Sequence, residues 1–254
     1  MADPVISPVS DTAPAQGAHA PAHPHLKSLV DAAKACGPLR VAIAYPCDAA
    51  SLGAAIEAAR AGLITPLLVG PPARMQAVAS QSGLDLTGLE IVGTADNPRA
   101  AAVHAASLCR DGTAAALMKG SLHTDELIHA VLARKELRTG RRMSHVFRFD
   151  VPLYSKPLLI TDAALNIRPT LEEKVDIVQN AIDLARSLGI AVPKVAILSA
   201  VETINPKIQS TLDAAALCKM ADRGQITGGI LDGRLGWAQE QLFHLGGHGF
   251  LRCC

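Results

Sequence analysis

Two apolar runs end abruptly in residues able to do chemistry. Leu117-Met118 runs into Lys119-Gly120-Ser121-Leu122-His123-Thr124, and Leu159-Ile160 runs into Thr161-Asp162-Ala163-Ala164-Leu165-Asn166. In an open α/β sheet, ligands bind at the carboxyl ends of strands. Two such ends predict one cleft assembled from separate parts of the chain. At the first, Gly120 permits close backbone approach, and Ser121 and Thr124 put hydroxyls at a helix start. The free N–H groups and the dipole of such a start attract an anion. Lys119 and His123 add donors; the plain alternative is a capped helix with Lys119 in solvent. At the second end, a carboxylate on a buried strand must be paired or do work, so Asp162 is a candidate, with Thr161 and Asn166 beside it. Asp232-Gly233 repeats the arrangement after Ile230-Leu231, and Glu202 to Asn205 follows the strand ending at Ala200. Between the two ends lies a basic turn, Arg138-Thr139-Gly140-Arg141-Arg142. An arginine there can fork onto phosphate oxygens, or the turn is a solvated loop.

The elements that must carry these groups follow from periodicity. Strands are expected at residues 39–45, 66–69, 89–92 and 114–118, alternating with helices at 49–61, 72–81, 98–109 and 123–134. Asp48 is the expected cap of the second helix, and Thr124 or Ser121 that of the last. Alternation of this kind predicts βαβ units and a mainly parallel sheet. A helix at 26–35 precedes them. The pattern changes after Gly140. Runs at 143–149 and 157–160 are joined by Pro152-Leu153-Tyr154-Ser155-Lys156, too short for a crossover, so an antiparallel pair is expected there. Next come a helix at 171–188 capped by Thr170, a strand at 194–200, a helix at 209–221 and a strand at 226–231. The expected division is a leader or linker over 1–24, a first α/β domain over 25–142, a second over 143–233 and an atypical tail over 234–254.

Composition narrows the function. A chain of 254 residues with formal net charge +1 gives no reason to expect a nucleic-acid or membrane partner. No apolar run reaches the roughly 20 residues that span a bilayer, and the N-terminus lacks the basic start and apolar core of a secretory signal. A cytoplasmic enzyme is expected. Cys36, Cys47, Cys109 and Cys218 are expected as buried free thiols, and Cys253-Cys254 as a terminal pair without function. His19, His23 and His25 are expected to sit in a solvated linker rather than on a metal. The chain has no Gly-x-Gly-x-x-Gly, P-loop or Gly-x-Ser-x-Gly elbow, which argues against hydride transfer and nucleoside triphosphate hydrolysis.

Several segments together carry a resemblance: Tyr45 to Leu52, Leu117 to Leu127, Arg138 to Gly140, Ser144 to Val146, Thr161 to Ile167, Val195 to Asn205 and Gly224 to Gly233. In this order and spacing the chain resembles the phosphate acetyltransferase and phosphate butyryltransferase family. It is most similar to the acyltransferase portion of bifunctional enoyl-CoA hydratase/phosphate acetyltransferase proteins. The resemblance implies an isocitrate/isopropylmalate-dehydrogenase-like fold, two α/β domains with an interdomain cleft. It implies the reaction acyl-CoA plus phosphate to acyl phosphate plus CoA, with CoA as a substrate and no cofactor or metal. Its partners would be acyl-CoA and phosphate in a homo-oligomer. The alternative is a catalytically inactive CoA-binding or oligomerisation module of the same fold.

The site residues implied are Ser121, His123, Thr124, Asp162 and Asn166 as catalytic groups. Lys119, Gly120, His129, Arg138, Thr161 and Asp232 are implied as substrate-binding groups. His129 stands where many relatives carry a phosphate-holding arginine. After Gly233 the family pattern, including a late Ser-Arg-Ala-Asp-type motif with the base, is not met. A truncated or frameshifted product is therefore expected, incomplete at its C-terminus, with an open sheet edge, exposed apolar surface and reduced activity.

Overall fold

The computed structural model describes residues 23–151, 154–162, 164–199, 201, 203–232 and 250–253. The expected leader, residues 1–24, lies outside them except for its last two residues, and so do Ala163, Ala200, Glu202, Gly233, and residues 234–249 and Cys254 of the expected tail.

Helix α1 (Pro24–Ala35) buries none of its residues. Strand β1 (Leu39–Ala44) is followed by α2 (Ala49–Arg60), β2 (Ile64–Gly70), α3 (Pro72–Ser82), β3 (Glu90–Gly93), α4 (Pro98–Arg110), β4 (Ala116–Lys119) and α5 (Thr124–Leu132). All four strands are parallel, in the order β3-β2-β1-β4. The chain thus builds outward from β1 in one direction, then crosses to its other side. The crevice at that reversal lies between the ends of β1 and β4, where the Tyr45–Asp48 and Gly120–His123 turns meet.

Local chemistry sets the helix starts. The Asp48 side chain accepts from Ser51 N at 2.7 Å, capping α2 as expected. Asn97 caps α4 through Ala100 N at 3.2 Å, with Pro98 in the first turn. Four small residues of α4, Ala101, Ala102, Ala105 and Ala106, are fully buried. Their size lets the helix lie close on the sheet. With Ile43, Leu52, Leu68 and Met75 they belong to the first core.

The second sheet has the order β5-β6-β9-β7-β8. Its strands are β5 (Val146–Phe149), β6 (Leu158–Thr161), β7 (Lys194–Ile197), β8 (Ile230–Asp232) and β9 (Phe250–Cys253). Helix α6 (Leu171–Ser187) lies between β6 and β7 in sequence, and α7 (Gln209–Asp222) between β7 and β8. β5 and β6 are antiparallel, as the short link requires, with Val146 opposite Thr161. The remaining pairs are parallel. Residues 250–253 lie in the sequence expected as an atypical tail, and their backbone pairs with both β6 and β7. Leu159, Val178, Ile182, Val195 and Leu217 centre a separate second core.

Three strands are three residues shorter than periodicity predicts. β5 begins at Val146 rather than Met143 because side chains, not a ladder, meet the backbone before it: Asn166 Nδ2 donates to Met143 O at 3.1 Å and Thr161 Oγ1 to His145 O at 2.7 Å. β8 begins at Ile230 rather than Ile226 because Gln179 takes the backbone of Thr227, accepting from its N at 2.9 Å and donating to its O at 3.0 Å. Apolar alternation marks burial, and Ile226 is buried, but a side chain can replace a neighbouring strand as the hydrogen-bond partner. β7 ends at Ile197, short of Ala200. The thiols also differ from expectation. Cys47 is buried and Cys109 and Cys218 are half-buried, but Cys36 is exposed because it follows a helix that buries nothing.

Candidate functional site

The first strand end is fastened to the fold. Gly120 N donates to Ala44 O and Ser121 N to Tyr45 O, each at 2.9 Å. Ser121 Oγ donates to Tyr45 O and accepts from Cys47 N, both at 2.9 Å. Both faces of the hydroxyl are therefore used in joining β4 to β1. The close approach predicted for Gly120 is made to this backbone: a Cβ there would lie 2.5 Å from Ala44 O. Lys119 folds back, with Nζ donating to Leu122 O at 2.7 Å.

The cap of α5 is His123, not Thr124 or Ser121. Ser121 is engaged with β1, Thr124 is already the first helical residue, and His123 N donates to Glu126 Oε2 at 3.1 Å. Asp125 and Glu126 occupy the first turn. An anion at this helix start would meet two carboxylates, which opposes the dipole's attraction. His129 lies exposed on the last turn of α5.

Beside this turn stands a polar group that sequence reasoning missed. Tyr45, at φ 53°, donates through its hydroxyl to Asp96 Oδ1 at 2.6 Å. Arg74 stacks over the Tyr45 ring at 5.6 Å and reaches Asp96 at 3.3 Å. Burial, then the bond to Asp96, pushes the Tyr45 hydroxyl up to about 12. Burial pushes the Cys47 thiol up to about 11, so it is a protonated core residue rather than a nucleophile. Tyr45 opens the Tyr45–Leu52 segment; its partners lie 51 and 29 positions downstream, beyond the reach of local pattern.

The second strand end is buried and hydrogen-bonded. Thr161 is fully buried and donates to the His145 carbonyl. The Thr161–Asp162 peptide is cis. Asp162 Oδ1 accepts from Ala164 N and Leu165 N, each at 3.1 Å, and Oδ2 accepts from Asn166 Nδ2. Burial alone would raise this carboxyl, but these bonds outweigh it and hold it below the usual carboxylate range. Asp162 is thus an ionised, fully engaged anchor of its loop. Asp232 ends β8 opposite Ala196 of β7, at the same edge of the sheet. Three strand spacings separate it from β6, roughly 14 Å at ~4.8 Å each, so the two aspartates do not share one small site.

A cavity of about 770 Å³ opens between α5, the 135–146 connection and α6. Leu132, Leu137, Met143 and Leu165 give it apolar walls. Arg138, Arg141, Arg142 and Asn166 supply polar groups. Of the predicted site residues, Arg138 and Asn166 line this space; Lys119, Ser121, His123, Thr124, Thr161, Asp162 and Asp232 are not part of its lining. Arg141 pairs with Asp183 at 2.5 Å and Arg142 with Glu173 at 2.6 Å. The Arg138 guanidinium meets the Leu132 carbonyl, through Nε at 2.7 Å and through Nη2, and has no carboxylate partner among the described residues. The basic turn was visible in the sequence. Which of its arginines keeps an unneutralised charge was not.

Two sheets with their helices, almost wholly parallel, define a mixed α/β protein whose solved structural relatives include phosphotransacylases. A branched-chain phosphotransacylase from Enterococcus faecalis V583 superposes with a TM-score of 0.69 at 25% identity, over 85% of this chain and 79% of that one. A phosphotransacetylase from Streptococcus pyogenes gives 0.71 at 17% identity, over 89% and 82%, and speaks for the fold alone. Residues 99–237 match the family model described as Phosphate acetyl/butaryl transferase. The chain is 58% identical to a phosphate acetyltransferase of Rhizobium meliloti over 208 residues, 82% of this chain and 66% of that protein. It is 43% identical to a phosphate butyryltransferase of Clostridium acetobutylicum over 197 residues, 77% of this chain and 65% of that protein. The protein belongs to the phosphate acetyl/butyryl transferase family. It spans just under two thirds of the length of these two relatives. Among the described residues, no helix is long and apolar enough to cross a membrane.

Proposed function

We propose that the chain transfers an acyl group between CoA and phosphate: acyl-CoA plus phosphate to acyl phosphate plus CoA. In this reading the two sheets are the two domains of an isocitrate/isopropylmalate-dehydrogenase-like fold, and the cavity is their cleft. The observation that carries it is the pairing of apolar walls with Arg138. An acyl chain or the pantetheine arm of CoA suits the walls, and a phosphoryl group suits an arginine with no carboxylate partner among the described residues. Asn166 lines the same wall, with its NH2 given to Met143 O and Asp162 Oδ2. CoA is a substrate here and no resident cofactor is invoked. The family resemblance further supports a cytoplasmic homo-oligomer.

The test is CoA release from acetyl-CoA or butyryl-CoA, with and without phosphate. Phosphate-dependent release is expected, and Arg138→Ala should raise the KM for phosphate at least tenfold. CoA binding without release would instead support a binding module. Absence of both binding and release would overturn the reading.

A further inference from the structure

Arg142 is held more completely than its neighbours in the basic turn. Its backbone N donates to Asp176 Oδ2 at 2.8 Å, and its carbonyl accepts from Asn180 Nδ2 at 2.8 Å. Its guanidinium pairs through Nη1 with Glu173 Oε1 at 2.6 Å, while Glu173 Oε2 accepts from Thr170 N at 2.9 Å. The glutamate that closes the capping box of α6 therefore also fixes the arginine. On its other side, Arg142 Nε donates to Asn166 Oδ1 at 2.6 Å.

That last bond has a consequence for the loop. A guanidinium only donates and a carboxylate only accepts. With Oδ1 facing Arg142, the Asn166 amide must turn Nδ2 toward Met143 O and Asp162 Oδ2. The reverse orientation would set NH2 against the guanidinium and a carbonyl against the carboxylate. Asp162 in turn holds Ala164 N and Leu165 N. Leu165 and Asn166 line the cavity.

We infer that Arg142 is a positioning residue: anchored to α6 through Glu173, it sets the orientation of Asn166 and so orders the Asp162–Asn166 loop that walls the cavity. This rests on the acyltransfer reading of that cavity. Arg142 differs from Arg138 in kind. Its charge is paired, so it is a poor phosphate holder, and its two-sided fork does what a point charge cannot.

The experiment compares Arg142→Gln and Arg142→Lys with the wild type, by phosphate-dependent CoA release and by amide exchange. Arg142→Gln should lower kcat at least tenfold while the KM for phosphate changes less than threefold. Arg142→Lys should stay impaired, because it keeps the charge and loses the fork. Exchange at Ala164 and Leu165 should quicken at least tenfold in both variants, with β1 amides unchanged. A tenfold rise in KM at constant kcat would make Arg142 a substrate contact and overturn the inference. So would full activity in Arg142→Lys, or unchanged exchange at the loop. If Arg142→Gln does not fold, Asn166→Ala replaces it, with the same expected quickening at Ala164 and Leu165. A wild type without turnover would defeat the acyltransfer reading alone, and the exchange measurement would still decide the role of Arg142.

Discussion

The carboxylate of Asp150 accepts a hydrogen bond from the backbone N–H of Leu26 at 2.9 Å, across 124 positions of sequence. Leu26 lies in the first turn of α1, whose own N-cap residue, His23, makes no side-chain cap bond. A residue just past β5 thus supplies the cap. Arg148 Nη2 donates to the His25 carbonyl at 3.1 Å, and His25 Nε2 lies 3.1 Å from Ser155 O. Since α1 buries no residue, these bonds are what fix its first turn. Asp150→Ala should therefore destabilise the protein by about 1 kcal/mol, the usual worth of a cap. Denaturant unfolding would measure the loss. Amide exchange should quicken over the first turn of α1 and not in β1.

Two glycines should respond to alanine with opposite sign. At Gly120 the new Cβ would meet backbone atoms of Ala44 and Tyr45 at 2.5–2.7 Å, which cannot move aside as a side-chain end can. Gly120→Ala should cost about 3 kcal/mol, the upper range for overpacking. At Gly53, inside α2, a Cβ meets nothing within 4 Å. Gly53→Ala should stabilise by about 0.5–1 kcal/mol through helix propensity. Thermal melting of both variants checks the pair. A stabilised Gly120→Ala would contradict the β1–β4 packing described above.

Acid should release one buried ion pair. Asp213 is 6% exposed and Lys174 21%, with 2.6 Å between them. Burial raises the Asp213 carboxyl, but hydrogen bonds from Lys174 and Gln209 outweigh it and hold it below its ordinary value. A carboxyl depressed in the folded state adds stability that is fully present above its unfolded value of about 3.9. That stability is lost as pH falls through the lower folded value. Asp213→Asn should thus be less stable by about 3 kcal/mol at pH 7, because Lys174 is left half-buried without its partner. The gap from wild type should hold down to about pH 4 and narrow below it. Urea unfolding across that range is the measurement; a gap that widens in acid would refute the assignment.

The hydroxyl of Ser121 is expected to matter for folding. Removing it strips a partner from Cys47 N and from Tyr45 O. Cys47 N keeps Tyr45 O as acceptor and Tyr45 O keeps Ser121 N as donor, so Ser121→Ala should cost about 1 kcal/mol, the net worth of the bonds removed. Unfolding curves would show it as a shifted midpoint with an unchanged slope.

Much of this molecule is legible along the chain. The alternation of apolar runs and capped helices determines the parallel βαβ order. Asp48 and Thr170 mark their helix starts because a cap acts within three residues. The link at 152–156 is too short to cross a sheet, so β5 and β6 had to be antiparallel. The strand ends at Lys119 and Thr161 are legible because each apolar run stops there, although Thr161 and Asp162 are themselves buried.

What the tertiary structure decided is which polar groups face one another. Arg138, Arg141 and Arg142 look alike in sequence. Only the placement of Asp183 and Glu173 on α6 neutralises two of them and leaves the third charged at the cavity. Ser121 and Asp162 have the residue types of a reacting site, yet partners from β1 and from the 164–166 loop occupy their atoms. The physical reason is range. Burial and capping are written in neighbours a few positions apart, whereas a charge or hydroxyl takes its role from whatever the fold sets within 3 Å of it.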